Sequence, residues 1–120
     1  MNDTPALRAW FATMDSDHPD DVLDMITDDF FMSIQFSTGG GTSAEFVGDR
    51  SGLIRYLEQR EKSVLVHTVD VGSTVGNTEL VLGRTTRDGA FEASFNASAQ
   101  MVAGRLRRLL ICRTPELSFD

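Results

Sequence analysis

The sequence predicts an α+β domain in which helices pack on one face of an antiparallel sheet. Apolar residues recur with the period of a helix in the first part of the chain, whereas from Ser63 onward they alternate with polar residues as in strands. Helical segments followed by a run of strands are typical of this fold class. The length of 120 residues fits a single domain, which we take to span residues 1–120.

Two helices are predicted before the first strand. Thr4 can cap the first helix, and Pro5 suits its first turn. The segment from Asp15 to Pro19 breaks the helical pattern, and a second, short helix follows with acidic residues in its first turn. The first helix carries an apolar stripe that must face a core or a cavity, formed by Leu7, Trp10, Phe11 and Met14.

A strand, a loop and a third helix complete the first half of the chain. The segment Phe30–Phe36 is rich in aromatic and β-branched residues, which predicts a strand. Three consecutive glycines, residues 39–41, predict a flexible loop over Ser37–Ser43. Asp49 is placed to cap the third helix, whose apolar side is formed by Leu53, Ile54 and Leu57.

The second half of the chain is predicted to be an antiparallel meander. Turn signals that contain glycine occur near residues 76, 88 and 103, and their spacing is that of hairpins. The segments between them alternate in polarity. The four predicted strands are Val64–Ser73, Thr78–Thr86, Ala90–Val102 and Leu106–Arg113.

The composition narrows the classes of function. The chain has 11 Lys+Arg and 18 Asp+Glu, a formal charge of −7 that disfavours nucleic acids and anionic membranes as partners. A single cysteine excludes an intramolecular disulfide, no residue spacing indicates a metal site, and we expect no cofactor. The N-terminal residues do not form the pattern of a signal peptide, and no apolar run is long enough for a membrane span, so we expect a cytoplasmic protein.

Four short segments, taken in their order along the chain, resemble those of one known superfamily. DSDHPDDV (15–22) resembles the break between its first two helices, and ITDDF (26–30) resembles the entry into its first strand. FVGDRSGL (46–53) resembles the start of its third helix, and VAGRL (102–106) resembles its last turn. The order of the predicted elements resembles that superfamily as well, so the resemblance as a whole covers nearly the whole chain. The chain thus resembles the nuclear transport factor 2-like superfamily, which includes ketosteroid isomerase and the SnoaL-like polyketide cyclases.

This resemblance implies a cone-shaped, cystatin-like α+β fold. In that superfamily a curved antiparallel sheet, with three helices from the first half of the chain packed over it, encloses an apolar pocket. The pocket hosts isomerases, cyclases, epoxide hydrolases and dehydratases, and also plain ligand binding, so the fold does not name a reaction. The resemblance implies two partners for this chain: a small apolar molecule, and a second copy of the chain in a homodimer paired through the sheets.

The catalytic residues of the family transfer only in part. Ile34 stands where the resemblance places the carboxylate base of ketosteroid isomerases, and isoleucine cannot take a proton. Trp10 stands at the tyrosine position, where its indole N–H can still donate one hydrogen bond. Asn96 stands at the oxyanion acid, where an amide can replace the acid as a donor. The epoxide-hydrolase branch uses an Asp-Arg-Asp set, and in this sequence no Asp stands two residues from Arg84.

The predicted catalytic residues are His67 and Asn96. His67 is the candidate acid/base, provided that it faces the pocket rather than solvent. Glu79 is expected at the surface, and it becomes a second acid/base candidate only if it points inward. The predicted ligand pocket is formed by Trp10, Met14, Phe36, Tyr56 and Asn96.

Two alternatives remain open. Alternation along strand 90–102 puts Asn96 on a wholly polar face and sends it to solvent, whereas the resemblance sends it into the cavity. The function is either proton transfer on a carbonyl compound, as in an isomerase, cyclase or dehydratase, or non-catalytic ligand binding or dimerisation. A third possibility is a protein-binding adaptor, which requires a large exposed apolar patch beyond any dimer interface. Catalysis requires His67 or Glu79 inside the cavity, whereas a binding module predicts walls of apolar groups and amides only.

Overall fold

The computed structural model describes residues 3–60 and 65–119, which form a six-stranded sheet with helices packed on one face. The helices are α1 (Pro5–Met14), a 3₁₀ helix (Pro19–Met25) and α2 (Arg50–Gln59). The strands are β1 (Ile26–Gly39), β2 (Thr42–Asp49), β3 (Leu65–Val75), β4 (Thr78–Arg87), β5 (Ala90–Val102) and β6 (Arg105–Thr114). Their order across the sheet is β2-β1-β6-β5-β4-β3. The predicted α+β class, with three helices in the first half of the chain, is confirmed.

The sheet is mixed, which corrects the expectation of a wholly antiparallel sheet. β1 runs parallel to β6, with Ile34 opposite Ile111, whereas the other neighbouring strands are antiparallel. Parallel neighbours need a long connection, and here all of the chain from β2 to β5 lies between them. The alternation of side chains within a strand does not depend on its direction, so the sequence pattern could not reveal this pairing.

The loop predicted over Ser37–Ser43 is instead the end of a hairpin. β1 continues to Gly39, and β2 begins at Thr42. Gly40 and Gly41 have φ angles of +62° and +82°, which side chains disfavour, and so they close the turn in only two residues. β2 was missed because its sequence, TSAEFVGD, contains few residues with high strand propensity.

Small residues on β4 and β5 determine how closely α1 approaches the sheet. Ala93 and Ala97 are buried on the face that the helices cover, with Phe95 between them on the same face. The ring of Phe95 packs against Phe11 of α1, with ring centroids 4.8 Å apart. Gly83 of β4 is the cross-strand partner of Phe95 of β5. A Cβ at Gly83 would lie 2.5 Å from the Phe95 ring. Glycine at this position therefore makes room for the aromatic contact.

α1 begins with an unusual cap. The Thr4 side chain makes no capping hydrogen bond, and Glu79 of β4 accepts hydrogen bonds from the backbone N–H groups of Ala6 (3.0 Å) and Leu7 (2.8 Å). Glu79 is only 4% exposed, so the expectation that it lies at the surface is wrong. Its inward carboxylate is occupied by the helix, since the first N–H groups of any helix lack partners within the helix.

The other predicted elements lie close to their expected positions. Asp49 caps α2 by accepting a hydrogen bond from the Gly52 N–H at 3.0 Å. β5 has the predicted bounds, and β4 and β6 differ from theirs by one residue at an end or at both. Val64, the predicted first residue of β3, lies outside the described residues. Within the part of the chain that the structure covers, no helix is both long and apolar enough to cross a membrane.

Candidate functional site

A cavity of about 350 Å³ lies between the helices and the inner face of the sheet. Its volume is near the lower end of the range for small-molecule sites, about 300–1,000 Å³. One histidine and three arginines line part of it, and no Asp or Glu is among the described lining residues. Most of the wall is apolar or aromatic and is formed by Trp10, Phe11, Met14, Met32, Ile34, Phe36, Tyr56, Leu65 and Ile111.

Two periodicities build the apolar wall. Trp10 and Met14 lie one turn apart on α1, so both side chains reach the same side of the helix. Met32, Ile34 and Phe36 alternate along β1 and therefore share its inner face. Ile34 thus lines the cavity at the position where the resemblance expected a carboxylate base, and this part of the wall cannot titrate.

His67 of β3 and Asp15 at the C-terminal end of α1 form a hydrogen-bonded pair at the cavity. His67 Nδ1 lies 2.8 Å from Asp15 Oδ1, and Asp15 Oδ2 accepts a hydrogen bond from the His67 backbone N–H at 2.6 Å. The two side chains are 18% and 12% exposed. Because a carboxylate only accepts, Nδ1 is the donor in this pair, and in the neutral form of the ring Nε2 then keeps its lone pair.

Two aromatic rings complete the environment of the imidazole. Phe11 stacks on His67 with centroids 4.8 Å apart and an angle of 17° between the planes. Phe95 meets the same ring in an edge geometry at 5.5 Å. The orientation of His67 is therefore determined by two hydrogen bonds and two ring contacts, which is the kind of support that a preorganised functional group needs. Among the described residues, no hydrogen bond involves Nε2, so a ligand that contacts this nitrogen would displace no protein partner.

Three arginines contribute the cationic part of the wall. Arg60 follows the last residue of α2, Arg87 ends β4, and Arg113 lies near the end of β6. The carboxylate of Glu92 bridges two of them, at 3.0 Å from Arg87 Nε and 2.7 Å from Arg113 Nη2. Arg60 Nη1 instead donates to the Met14 carbonyl oxygen at 3.3 Å. The cavity is therefore apolar in most of its wall and cationic in one part.

The structure brings five of the six predicted site residues together around this cavity: Trp10, Met14, Phe36, Tyr56 and His67. Their roles in binding or catalysis remain predictions.

Asn96 does not line the cavity, and the prediction that it does is corrected. It is exposed, and its strand neighbours Phe95 and Ala97 are buried on the inner face. Asn96 pairs with Leu82 and Cys112 on the adjacent strands, so its side chain lies on the outer face of the sheet. Strand alternation therefore overrides the position that the resemblance implied.

Sequence reasoning missed Asp15 and the three arginines. Asp15 lies in a segment that was interpreted only as a helix break, and its partner is 52 residues away, so no local pattern joins them. The arginines had a usable signal. Arg113 lies two positions after Ile111, and Arg87 two positions after Thr85, so strand alternation places both arginines on the inner face.

No family model and no curated protein matches the chain. Solved structures do match it. A candidate ketosteroid isomerase from Kribbella flavida has a TM-score of 0.65 at 18% identity, over 100% of this chain and 85% of that one. A candidate polyketide cyclase from Sinorhizobium meliloti has a TM-score of 0.64 at 14% identity, over 90% and 94% of the two chains.

A third match shows what the fold leaves open. An NTF2-like protein of unknown function from Mesorhizobium loti has a TM-score of 0.64 at 11% identity, over 91% of this chain and 88% of that one. At such identities the similarity concerns the fold and not the activity. The chain therefore has the fold of the nuclear transport factor 2-like, SnoaL-like and ketosteroid isomerase-like proteins, as the four sequence segments implied.

Proposed function

We propose that the chain binds a small, mostly apolar carbonyl compound in this cavity and transfers a proton on it. The observation that carries the proposal is the 2.8 Å contact between His67 Nδ1 and Asp15 Oδ1 at the cavity wall. A carboxylate on Nδ1 selects the tautomer with a free Nε2 and stabilises the imidazolium that forms when Nε2 takes a proton. His67 is then the general base, and Asp15 is a positioning residue.

The proposed chemistry begins at the carbon next to the carbonyl group. Nε2 of His67 takes a proton from that carbon, and the electron pair of the C–H bond moves into the carbonyl group to form an enolate. An isomerase returns the proton to another carbon, a cyclase uses the enolate as a nucleophile, and a dehydratase expels a hydroxyl group. The three reaction types share the first step, so one residue in one position can serve any of them.

The matching folds support this class of reaction without identifying one. Two of them are named as a candidate ketosteroid isomerase and a candidate polyketide cyclase. In this chain Ile34 occupies the usual position of the base, so proton transfer requires a base on another strand. Among the described residues that line the cavity there is no carboxylate, and His67 on β3 is the only imidazole, so it is the candidate base.

The test uses 5-nitrobenzisoxazole, an apolar probe whose ring opens when a base removes its single acidic C–H proton. The C–H electron pair forms the nitrile, the N–O bond breaks, and the coloured phenolate product is measured by its absorbance. We expect wild-type protein to accelerate this reaction and His67→Gln to lose at least about 100-fold of the acceleration.

The matched control is His18→Gln, because His18 is the other histidine of the chain and is exposed in the segment before the 3₁₀ helix. This variant should retain wild-type rates. Equal rates for wild type and His67→Gln would refute the catalytic role of His67.

The alternative function is a dimerisation module, and one observation favours it. The outer face of the sheet carries exposed apolar side chains, with Leu80 42% and Leu110 47% exposed. Both pair with Ser98 across β4, β5 and β6, so they lie in one row on that face. We propose that a second copy of the chain covers this face, since two such rows can bury each other's apolar area.

Sedimentation equilibrium tests this pairing. Wild-type protein should be a dimer, and Leu110→Arg should be a monomer with unchanged circular dichroism, because two opposed guanidinium groups would be buried without partners. A monomeric wild-type protein would exclude the homodimer.

A further inference from the structure

We infer that the cavity selects an anionic ligand, a small and mostly apolar molecule whose single oxyanion group is bound by Arg60, Arg87 and Arg113. The inference deepens the proposed function by naming the charge of its ligand, and it rests on the same cavity. A carboxylate and a phosphate share the required chemistry, which is a compact group of negatively charged oxygen atoms.

The distribution of charge in the chain favours an anionic ligand. The chain as a whole carries a formal charge of −7, yet three of its 11 basic residues converge on one cavity from three different elements. Among the described residues, Glu92 is the only carboxylate in ion pairs with these arginines. Asp15, paired with His67, is a second carboxylate at the cavity. Three guanidinium groups against these two carboxylates still leave a local positive excess, which attracts anions in a molecule that otherwise repels them.

The fold leaves some of the guanidinium N–H donors at the cavity unused. Arg113 Nε is buried and has no hydrogen-bond partner, although Nη2 of the same residue pairs with Glu92. Arg60 makes no ion pair with any carboxylate in residues 3–60 and 65–119, and its contacts are with the carbonyl oxygen and sulfur of Met14. A guanidinium group has five N–H donors, so each arginine can bind a ligand oxygen and keep its present contact.

Glu92 occupies a special position in the sheet. β4 and β5 change register at this point, where Thr85 pairs with Ala93 and Thr86 pairs with Phe91, so Glu92 is the extra residue of a bulge. Its carboxylate joins two arginines that end different strands. A bulge that aligns two guanidinium groups beside an apolar cavity is expected where a ligand's charged group is held, because bulges commonly direct side chains at functional sites.

These features together define the ligand class. The apolar wall, which includes Trp10 and Ile34, excludes a ligand that is polar throughout, because burying its polar groups without hydrogen bonds is unfavourable. The unused guanidinium donors disfavour a wholly apolar ligand, which would leave them buried and unsatisfied. An amphipathic acid satisfies both parts of the wall.

The test uses octanoate and octanamide, which have the same number of heavy atoms and differ mainly in charge. Trp10 is the only tryptophan of the chain, is 2% exposed and lines the cavity, so its fluorescence reports on occupancy. We expect octanoate to bind at least about tenfold more tightly than octanamide, as a charge-assisted contact implies. Octyl phosphate in a parallel titration distinguishes the two oxyanions, and tighter binding of either one over octanamide supports the inference.

Two variants and a matched control test whether the cavity arginines cause the preference for octanoate over octanamide. Arg60→Gln and Arg113→Gln should each reduce the ratio of octanamide Kd to octanoate Kd by at least about fivefold. Arg108→Gln is the matched control, because Arg108 is exposed away from the cavity and its loss changes the net charge equally. This control should keep the wild-type ratio, and far-UV circular dichroism confirms that each variant is folded.

The outcomes separate this inference from the proposed function. Equal Kd values for octanoate and octanamide, or no saturable change for either probe, would overturn the inference. So would a preference that persists in both Arg60→Gln and Arg113→Gln, or one that is lost equally in Arg108→Gln. A preference that behaves as expected, in a protein without activity toward nitrobenzisoxazole, would sustain the anion site and refute the catalytic function.

Discussion

Glu79 is expected to hold α1 on the sheet, and removing its carboxylate should destabilise the fold. Its two oxygens accept from the N–H groups of Ala6 and Leu7, the second and third residues of α1, at 3.0 and 2.8 Å. These are the donors that an N-cap side chain normally satisfies, and Thr4 does not do so. The contact joins positions more than 70 residues apart, so it fastens α1 to β4 as well as capping it.

The two hydrogen bonds of Glu79 determine how much stability its replacement should cost. Glu79→Ala leaves two donors without an acceptor, of which the Leu7 N–H is buried and the Ala6 N–H is partly buried. A buried unsatisfied group costs about 1–3 kcal/mol and a partly buried one less, so we expect the free energy of unfolding to fall by about 3 kcal/mol. Glu79→Gln keeps one amide oxygen but turns an NH₂ group toward the other donor. Its loss should be about 2 kcal/mol, with part of this from the lost interaction of the charge with the helix dipole.

Urea denaturation followed by circular dichroism measures both values from the midpoint and slope of the transition. The matched control is Glu45→Gln on β2, because Glu45 is exposed and its nearest described partner, Gln35, lies 3.5 Å away. This control should differ from wild type by less than about 0.5 kcal/mol. If Glu79→Ala costs no more than the control, the inferred role of Glu79 is wrong.

Three further changes should have distinct effects. The Thr4 hydroxyl is buried without a partner, so Thr4→Val should raise the free energy of unfolding in urea by about 1 kcal/mol, and a loss would contradict this. Gly83→Ala should lower the free energy of unfolding by about 3 kcal/mol or more, because the new Cβ would lie 2.3 Å from the Thr68 carbonyl oxygen and 2.5 Å from the Phe95 ring. An unchanged urea midpoint would exclude this overlap. A hydrogen bond from Thr27, and next in size one from Arg107, lowers the pKa of Asp29 below its ordinary value of 3.8. The ionised carboxylate therefore stabilises the fold above pH 3.8, and this stabilisation is lost as the pH falls through the lowered pKa. Thr27→Ala should therefore raise the Asp29 titration midpoint seen by carboxyl-carbon NMR, and an unmoved midpoint would contradict the assigned cause.

The sequence predicts those parts of the fold that depend on residues close together in the chain. The stripe of α1, the Asp49 cap and the glycine turns are properties of neighbouring residues, and the corresponding elements lie where they were expected. Two features depend on residues far apart in the chain and were not predictable in this way. The parallel pairing of β1 with β6 and the inward position of Glu79 both arise from the assembled sheet, because no residue near either one indicates its partner.

The candidate site was predictable in its apolar part and not in its polar part. Helical and strand periods place Trp10 and Phe36 on faces that meet at the cavity. Periodicity also decides against Asn96, whose strand neighbours are buried on the inner face. The partner of His67 could not be predicted, because Asp15 reaches β3 only after the end of α1 has packed against the sheet.

The state of the His67 ring tests the central claim most directly. Long-range ¹H–¹⁵N NMR distinguishes the two nitrogens of a neutral imidazole by whether each carries a proton. With the ring neutral, wild-type protein should show the proton on Nδ1 of His67, because Asp15 Oδ1 accepts from it at 2.8 Å, and addition of octanoate should shift the Nε2 resonance. A proton on Nε2, or an Nε2 resonance that no cavity ligand shifts, would contradict the assignment of His67 as the base of this site.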